Sequence, residues 1–352
     1  MRKLSLTALL AAAAVAVAAA PAGAASAGAR APAGSSWQIA VKVAGPGFPS
    51  FTAVTAASAT SAWTFETAGT AAPRAYQLSG STWTAQPFPD PAGDSVSSAS
   101  SSSSDNVWAF TFQGRVLHYD GTSWTIVKNF GKVIESGLAI SSSDVWVFGQ
   151  SFAPALGTWR YNGSTWTKVS SGAGLGHASA LSANSVWACG GTDVAHWNGS
   201  TWKKTSVAHL LPKNTELSHS FVADVYAASS KSVYAVASGG RQDEGGPLVL
   251  LHYNGSTWRR LALNAKLGGP VAVVPDGSGG LWIPVVIGQG ISSMEHYAGG
   301  VLKSVSLPYA PPHLSLSAAA NARNSHAALT VGFYRKSFSA TTSTAVILRY
   351  GG

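Results

Sequence analysis

Charge is what this sequence has least of. Only 11% of its 352 residues are Asp, Glu, Lys or Arg, against about a quarter in ordinary globular proteins. There is one cysteine, Cys189, and there are two methionines. A lone cysteine excludes an internal disulfide, a cysteine-based zinc site and a CxxC redox pair. No heptad pattern is visible, and no block of like charge exceeds two residues, so neither a coiled coil nor a charged tail is present. What is abundant is glycine (38) and tryptophan (13), with 46% hydrophobic residues overall. That content is globular and excludes wholesale disorder.

The first residues stand apart. Met1-Arg2-Lys3 is a short basic start, an apolar run follows from Leu4 to Ala20, and small residues then continue to Ala29. Ala22-Gly23-Ala24 and Ala25-Ser26-Ala27 both suit cleavage, the pattern of a secretory signal peptide. A membrane anchor needs about 20 apolar residues, more than this alanine-heavy run offers. The expected organisation is a signal peptide over 1–27, a flexible leader over 28–34 and one folded domain over 35–352. No later stretch is apolar enough to span a bilayer, so an exported, extracellular protein is expected.

Everything after the leader is a repeat. Five Gly-x-x-Trp units stand at Gly80–Trp83, Gly121–Trp124, Gly163–Trp166, Gly199–Trp202 and Gly255–Trp258. Four follow an aromatic and Asn or Asp, as in Tyr161-Asn162, and Asn-Gly predicts a type I′ hairpin turn. A weaker copy, Tyr297-Ala298-Gly299-Gly300, places Leu302 in the Trp position. A second series of anchors lies between them: Trp63, Trp108, Trp146, Trp187, Tyr234 and Trp282, with Leu329 as a degenerate seventh. Their spacings are 45, 38, 41, 47, 48 and 47 residues. Four antiparallel strands per unit of that length describe a propeller blade.

The two ends fix the number of blades. Leu348-Arg349-Tyr350-Gly351-Gly352 reads as a third strand and turn without a fourth strand, while Gly34-Ser35-Ser36-Trp37-Gln38-Ile39 has the form of a fourth. The expected fold is therefore an all-β, seven-bladed propeller of four-stranded antiparallel blades, closed by the N-terminal strand completing the last blade. Closure removes a ladder of unpaired backbone groups. The Trp and Tyr anchors are expected to pack between blades.

The formal net charge is +9, which raises the question of an anionic partner. Its distribution argues for scaffold instead. Lys42, Lys128, Lys168, Lys203, Lys204, Arg259, Arg260 and Lys303 all follow outer-strand anchors, where charge blocks edge-to-edge pairing. No nucleic-acid motif accompanies them, so no nucleic-acid partner is expected. His118, His196, His252 and His296 share one repeat position and read as structural, with Arg160 and Arg349 filling it elsewhere. The three Asn-Gly-Ser sequons read as hairpin turns, and Cys189 as a small buried residue.

Function is expected where the repeat breaks. The departures are Lys203–Ser220, Gly239–Pro247, Gly149–Gly157 and Gly332–Thr342, all expected on one face. They carry His209, Lys213, Glu216, His219, Arg241, Asp243, Glu244, Arg335 and Lys336. On the same face the inner strands should open around a central channel with Asp94, Glu135, His177, His219 and His313. Such a mouth could hold a divalent cation or divide acid and base roles, although the spacing carries no metal-site signature. The expected ligand-binding set is His177, Glu135, Asp94, His219, His313, Glu216, Arg241, Asp243 and Glu244. No catalytic set stands out.

The Asp-Val-Trp-Val-Phe-Gly and Tyr-Asn-Gly-Ser-Thr-Trp units resemble those of secreted bacterial β-propeller repeat proteins, grouped loosely with kelch, WD40 and sialidase-type propellers. The resemblance covers residues 35–352. The Gly-Ser-Thr-Trp hairpin is similar to the sialidase Asp-box, but Tyr161 stands where that box has its Asp, and no arginine triad can be assigned. Kelch glycine doublets and the WD40 Trp-Asp ending are absent. The expectation is a secreted, monomeric, non-catalytic module binding an extracellular glycan, cell-wall component or protein through its loop-rich face. The alternative is an extracellular hydrolase or lyase, with or without a metal, at the channel mouth.

Overall fold

The computed structural model describes residues 36–149, 156–170, 174–214, 219–239, 246–264, 268–287, 291–309, 313–322, 325–337 and 339–351. The expected signal peptide and leader, residues 1–27 and 28–34, lie outside these. The described chain forms seven antiparallel sheets arranged as the blades of a propeller. Their inner strands are Ser50–Ser58, Val96–Ser103, Ile134–Ser141, His177–Ser182, Ser220–Ser229, the pair Gly269–Pro270 with Val274–Pro275, and Leu314–Asn321. Their outer strands are Thr82–Gln86, Trp124–Asn129, Trp166–Ser170, Trp202–Ser206, Trp258–Asn264, Val301–Val305 and Gln38–Ala44. The last of these comes from the chain's beginning: Gln38–Ala44 pairs antiparallel with Thr344–Tyr350 and closes the ring.

The tryptophan spacing becomes intelligible at the seams. The tryptophan anchors pack on the aromatic pair at the ends of strands 3 and 4 of the next blade. Trp63 meets Tyr119 at 4.7 Å and Trp124 at 5.1 Å. Trp146 meets Trp197 at 5.3 Å and Trp202 at 5.5 Å. Trp187 meets Tyr253 at 5.1 Å. Trp282 meets Tyr350 at 4.6 Å and Trp37, from the closing strand, at 5.4 Å. Tyr234 clusters with Tyr297 and Leu302, and Leu329 with Leu78 and Trp83, so the degenerate copies hold the same place. These edge-on and tilted contacts are the favoured aromatic geometries.

Serine and alanine dominate the inner strands because the blades converge there. Their hydroxyls bond the neighbouring blade's backbone: Thr52 Oγ1 donates to the Val96 carbonyl (2.8 Å), Ser97 Oγ to the Ile134 carbonyl (2.8 Å), and the Gly137 N–H donates to Ser98 Oγ (2.9 Å). Small polar side chains thus satisfy backbone groups that no ladder reaches.

Two local expectations are corrected. Among the described residues only Phe48 has positive φ without being glycine, so Asn162, Asn198, Asn254 and Asp120 do not form type I′ turns. Instead Asn162 Oδ1 accepts the N–H groups of Ser164 and Thr165 (3.0 and 2.9 Å), and Gly163 alone takes positive φ. The asparagine supplies the turn with its side chain rather than its backbone. Among the described residues only Gly299-Gly300, between paired Ala298 and Val301, combines a two-residue loop with positive φ at both positions. Blade 6 also departs from the four-strand pattern, because its innermost layer is split in two. Pro270 and Pro275 cannot donate to a ladder, and the Val273 N–H between them turns to another blade.

Seven of the eight outer-strand cations, Lys42, Lys168, Lys203, Lys204, Arg259, Arg260 and Lys303, are exposed, while Lys128 is half-buried with its ammonium over Phe130 at 5.3 Å.

Candidate functional site

The inner strands carry only three ionisable residues other than tyrosine: Glu135, His177 and Asp224. They lie on blades 3, 4 and 5, and the structure brings them together. His177 Nε2 lies 3.8 Å from Glu135 Oε1, and His177 Nδ1 lies 4.0 Å from Asp224 Oδ1. All three remain open to solvent to some degree, with side-chain exposures of 32% for Glu135, 38% for His177 and 17% for Asp224.

Local geometry explains each placement. Glu135 falls where the pairing skips a residue between Ile134 and Ser136, a bulge that re-aims its side chain. Its carboxylate lies against Gly176, where a Cβ would come within 2.6 Å of Cδ, so the glycine makes the room. His177 opens its strand beside that glycine. Asp224 is tied down: Oδ1 accepts the Val225 N–H (2.8 Å) and Oδ2 accepts the Val273 N–H (2.9 Å). Burial lifts the Asp224 carboxyl above its usual range, opposed by His177 and those two N–H groups.

Asp224 was not expected from the sequence. The skip between Val222 and Asp224 shifts the inward-facing set, so simple alternation along Phe221–Tyr226 misplaces it. Its signal was compositional, a lone carboxylate within an otherwise apolar and small-residue strand.

Asp94 does not join them. Its side chain is fully covered, accepting the N–H groups of Ser95 (2.7 Å) and Gln113 (3.0 Å) and pairing with Arg115 Nη1 (2.7 Å). It staples the connection between blades 1 and 2 to the adjacent 2–3 hairpin, and so is corrected from mouth ligand to structural acid. His313 packs edge-on to Tyr334 at 6.3 Å in blade 7, outside the trio. His219 is exposed next to Ser220. Glu216, Arg241, Asp243 and Glu244 lie outside the described residues.

Connections between blades and 2–3 loops share one face, as expected. Arg335 of the blade 7 loop stacks its guanidinium over Phe48 of the adjoining connection at 5.4 Å. A Cβ at Gly239, where the blade 5 loop leaves its strand, would lie 2.6 Å from Pro212 of the blade 4–5 connection. His209, Lys213 and Lys336 are exposed.

The trio can accept hydrogen bonds through its carboxylates and exchange a proton through the imidazole. It does not form a metal cage, because the imidazole stands between the two carboxylates. Among the described residues no three His, Cys, Asp or Glu are grouped to hold a metal ion. Cys189, paired in register with His177, is buried. Burial and the nearby Asp224 and Glu135 charges push its thiol well above the usual range, the reverse of what a thiolate nucleophile requires.

No family model and no curated protein matches the sequence. Solved structures do match in fold. The structure described as YCF48 bound to D1 peptide is 12% identical with a TM-score of 0.60, covering 90% of this chain and 97% of its own. YCF48 from Cyanidioschyzon merolae is 14% identical with a TM-score of 0.58, over 90% and 98%. SapL1 lectin in complex with alpha methyl fucoside is 19% identical with a TM-score of 0.50, over 75% and 98%. At these identities the likeness is one of fold.

Proposed function

We propose that this chain is an exported, non-catalytic module that binds an extracellular ligand on its loop-rich face, over Glu135, His177 and Asp224. The observation that carries the reading is the concentration of the inner strands' ionisable side chains on three consecutive blades at one mouth. Two carboxylates flanking one imidazole suit a ligand rich in hydroxyl or amine donors, the profile of a glycan or of a basic protein segment. Propellers similar in fold are described with a peptide and with a fucoside. The Met1–Ala29 pattern supports export, and no described helix is long and apolar enough to cross a membrane.

The test is a glycan and peptide array probed with the mature protein and with Glu135→Gln and His177→Ala. A hit weakened at least about tenfold in both variants, with unchanged melting, supports the reading. Hits that survive both substitutions would place recognition elsewhere. Fractionation of cells and medium followed by N-terminal sequencing tests export and cleavage, and protein retained in the cells with an intact Met1 would refute them.

A further inference from the structure

A cavity of about 470 Å³, lined by none of Glu135, His177 and Asp224, lies in the outer seam between blades 4 and 5. Its back wall is aromatic: Trp187 stands 5.1 Å from Tyr253 and 6.0 Å from Trp258. A cavity of about 240 Å³ occupies the corresponding position between blades 1 and 2, against Tyr119 and Trp124. The difference in room has a visible cause. Five residues after Trp83, Phe88 inserts a ring 5.3 Å from Trp124. Six residues after Trp124, Phe130 does the same 5.5 Å from Trp166. Five residues after Trp202 the chain has only Val207, so the blade 4–5 seam lacks this plug.

The remaining walls are polar and basic. Lys203, Thr205 and His209 line the cavity from exposed positions, and Ser256 and Thr257 face it from the hairpin. His196, stacked on Trp187 at 4.4 Å, is held near neutrality by burial and is fixed through Nε2 to Ser185 Oγ at 3.0 Å. Among the described residues no carboxylate lines the cavity. The rings are inclined, Trp187 at 51° to Tyr253 and 77° to Trp258, and an apolar ring-lined recess facing hydroxyl-bearing side chains suits a pyranose, which offers C–H groups on one face and hydroxyls around its edge. The unbalanced positive charge calls for an anion on that sugar. Among the described residues no arginine lines the cavity, so a phosphate would lack the bidentate fork that such groups favour.

We propose that the blade 4–5 seam binds an oligosaccharide bearing hexuronate carboxylates, with the partly exposed ring of Tyr253 as the stacking surface, Trp187 and Trp258 as the buried floor behind it, and Lys203 as the partner of the carboxylate. This site is independent of the channel mouth. Isothermal titration of the mature protein with trigalacturonate, trimannuronate and a glucuronate trisaccharide, each beside its methyl ester, tests it. At least one free acid should bind saturably, with its ester at least about fivefold weaker. Lys203→Glu and Thr205→Trp, which reverses the charge and fills the cavity from exposed strand positions, should each abolish binding, while Glu135→Gln leaves it intact. Lys203→Glu alone suffices should Thr205→Trp fail to fold. The proposal is overturned if none of the three acids binds, if the esters bind equally, if AMP binds more tightly than every acid, or if folded Lys203→Glu retains wild-type affinity.

Discussion

Asp224 accepts the backbone N–H of Val273 at 2.9 Å, so a carboxylate of blade 5 completes the broken inner layer of blade 6. The two prolines that split that layer leave Val273 without a ladder partner, and Asp224 supplies one. Removing it strands a backbone donor near the axis. Asp224→Ala should therefore cost about 1 to 3 kcal/mol in urea unfolding. Asp224→Asn, which keeps one acceptor oxygen, should cost visibly less. Equal losses for the two would show that charge, and not the hydrogen bonds, matters here.

Asp90 gives the fold a pH dependence. It is buried beside Asp94, 3.6 Å from the Arg115 nitrogen that Asp94 already engages, and burial together with the Asp94 charge pushes its carboxyl up to about 7. The folded pKa exceeds the unfolded value, so between about pH 4 and 7 the native state holds a proton that the unfolded chain has lost. Stability from this group therefore falls as pH rises through that window and levels off above it. Thermal melts at pH 5 and pH 8 should show the decline, and Asp90→Asn should flatten it while raising the melting temperature at pH 8. A slope unchanged in Asp90→Asn would assign it to other groups.

Gly137 is a glycine for lack of space. A Cβ there would overlap the fully buried ring of Phe110 in the preceding blade. Gly137→Ala should cost about 1 to 3 kcal/mol by overpacking. Combining it with Phe110→Leu should cost less than the sum of the two single changes, as double-mutant denaturation curves would reveal.

Trp37 is 2% exposed and sits against both Trp282 and Tyr350. Trp37→Ala should lose about 3 to 5 kcal/mol. The same substitution at Ile126, an exposed outer-strand residue, should change stability by roughly 0.5 kcal/mol or less. Comparable losses at the two positions would deny the closing strand its structural weight.

The ring was legible because its seams are built from one repeated contact. Trp63 to Leu329 recur at the period of a blade, and the degenerate copies could be placed by spacing alone. The site was legible only in part. Glu135 and His177 stand out as ionisable residues at the start of inner strands. Asp224 is hidden by a register skip, and Asp94 is misleading because its partner Arg115 lies beyond a hairpin. Periodicity reports which residues alternate, and it does not report where a bulge changes their phase. The Asn-Gly turns failed for a related reason: Asn162 can act through its backbone or its side chain, and the dipeptide does not distinguish them.

The order of strands in blade 7 also sets a timetable. Gln38–Ala44 is the first strand of the domain to be synthesised, and its partner Thr344–Tyr350 is the last. For the whole of translation this segment has no edge to join, while the intervening blades can already stack on one another. Ring closure then waits on a contact between opposite ends of the domain, which favours a slow final step. A ribosome that stalls early leaves this strand made but without the Thr344–Tyr350 edge it pairs with. Until that edge exists, the backbone donors and acceptors of the N-terminal strand have no ladder to join.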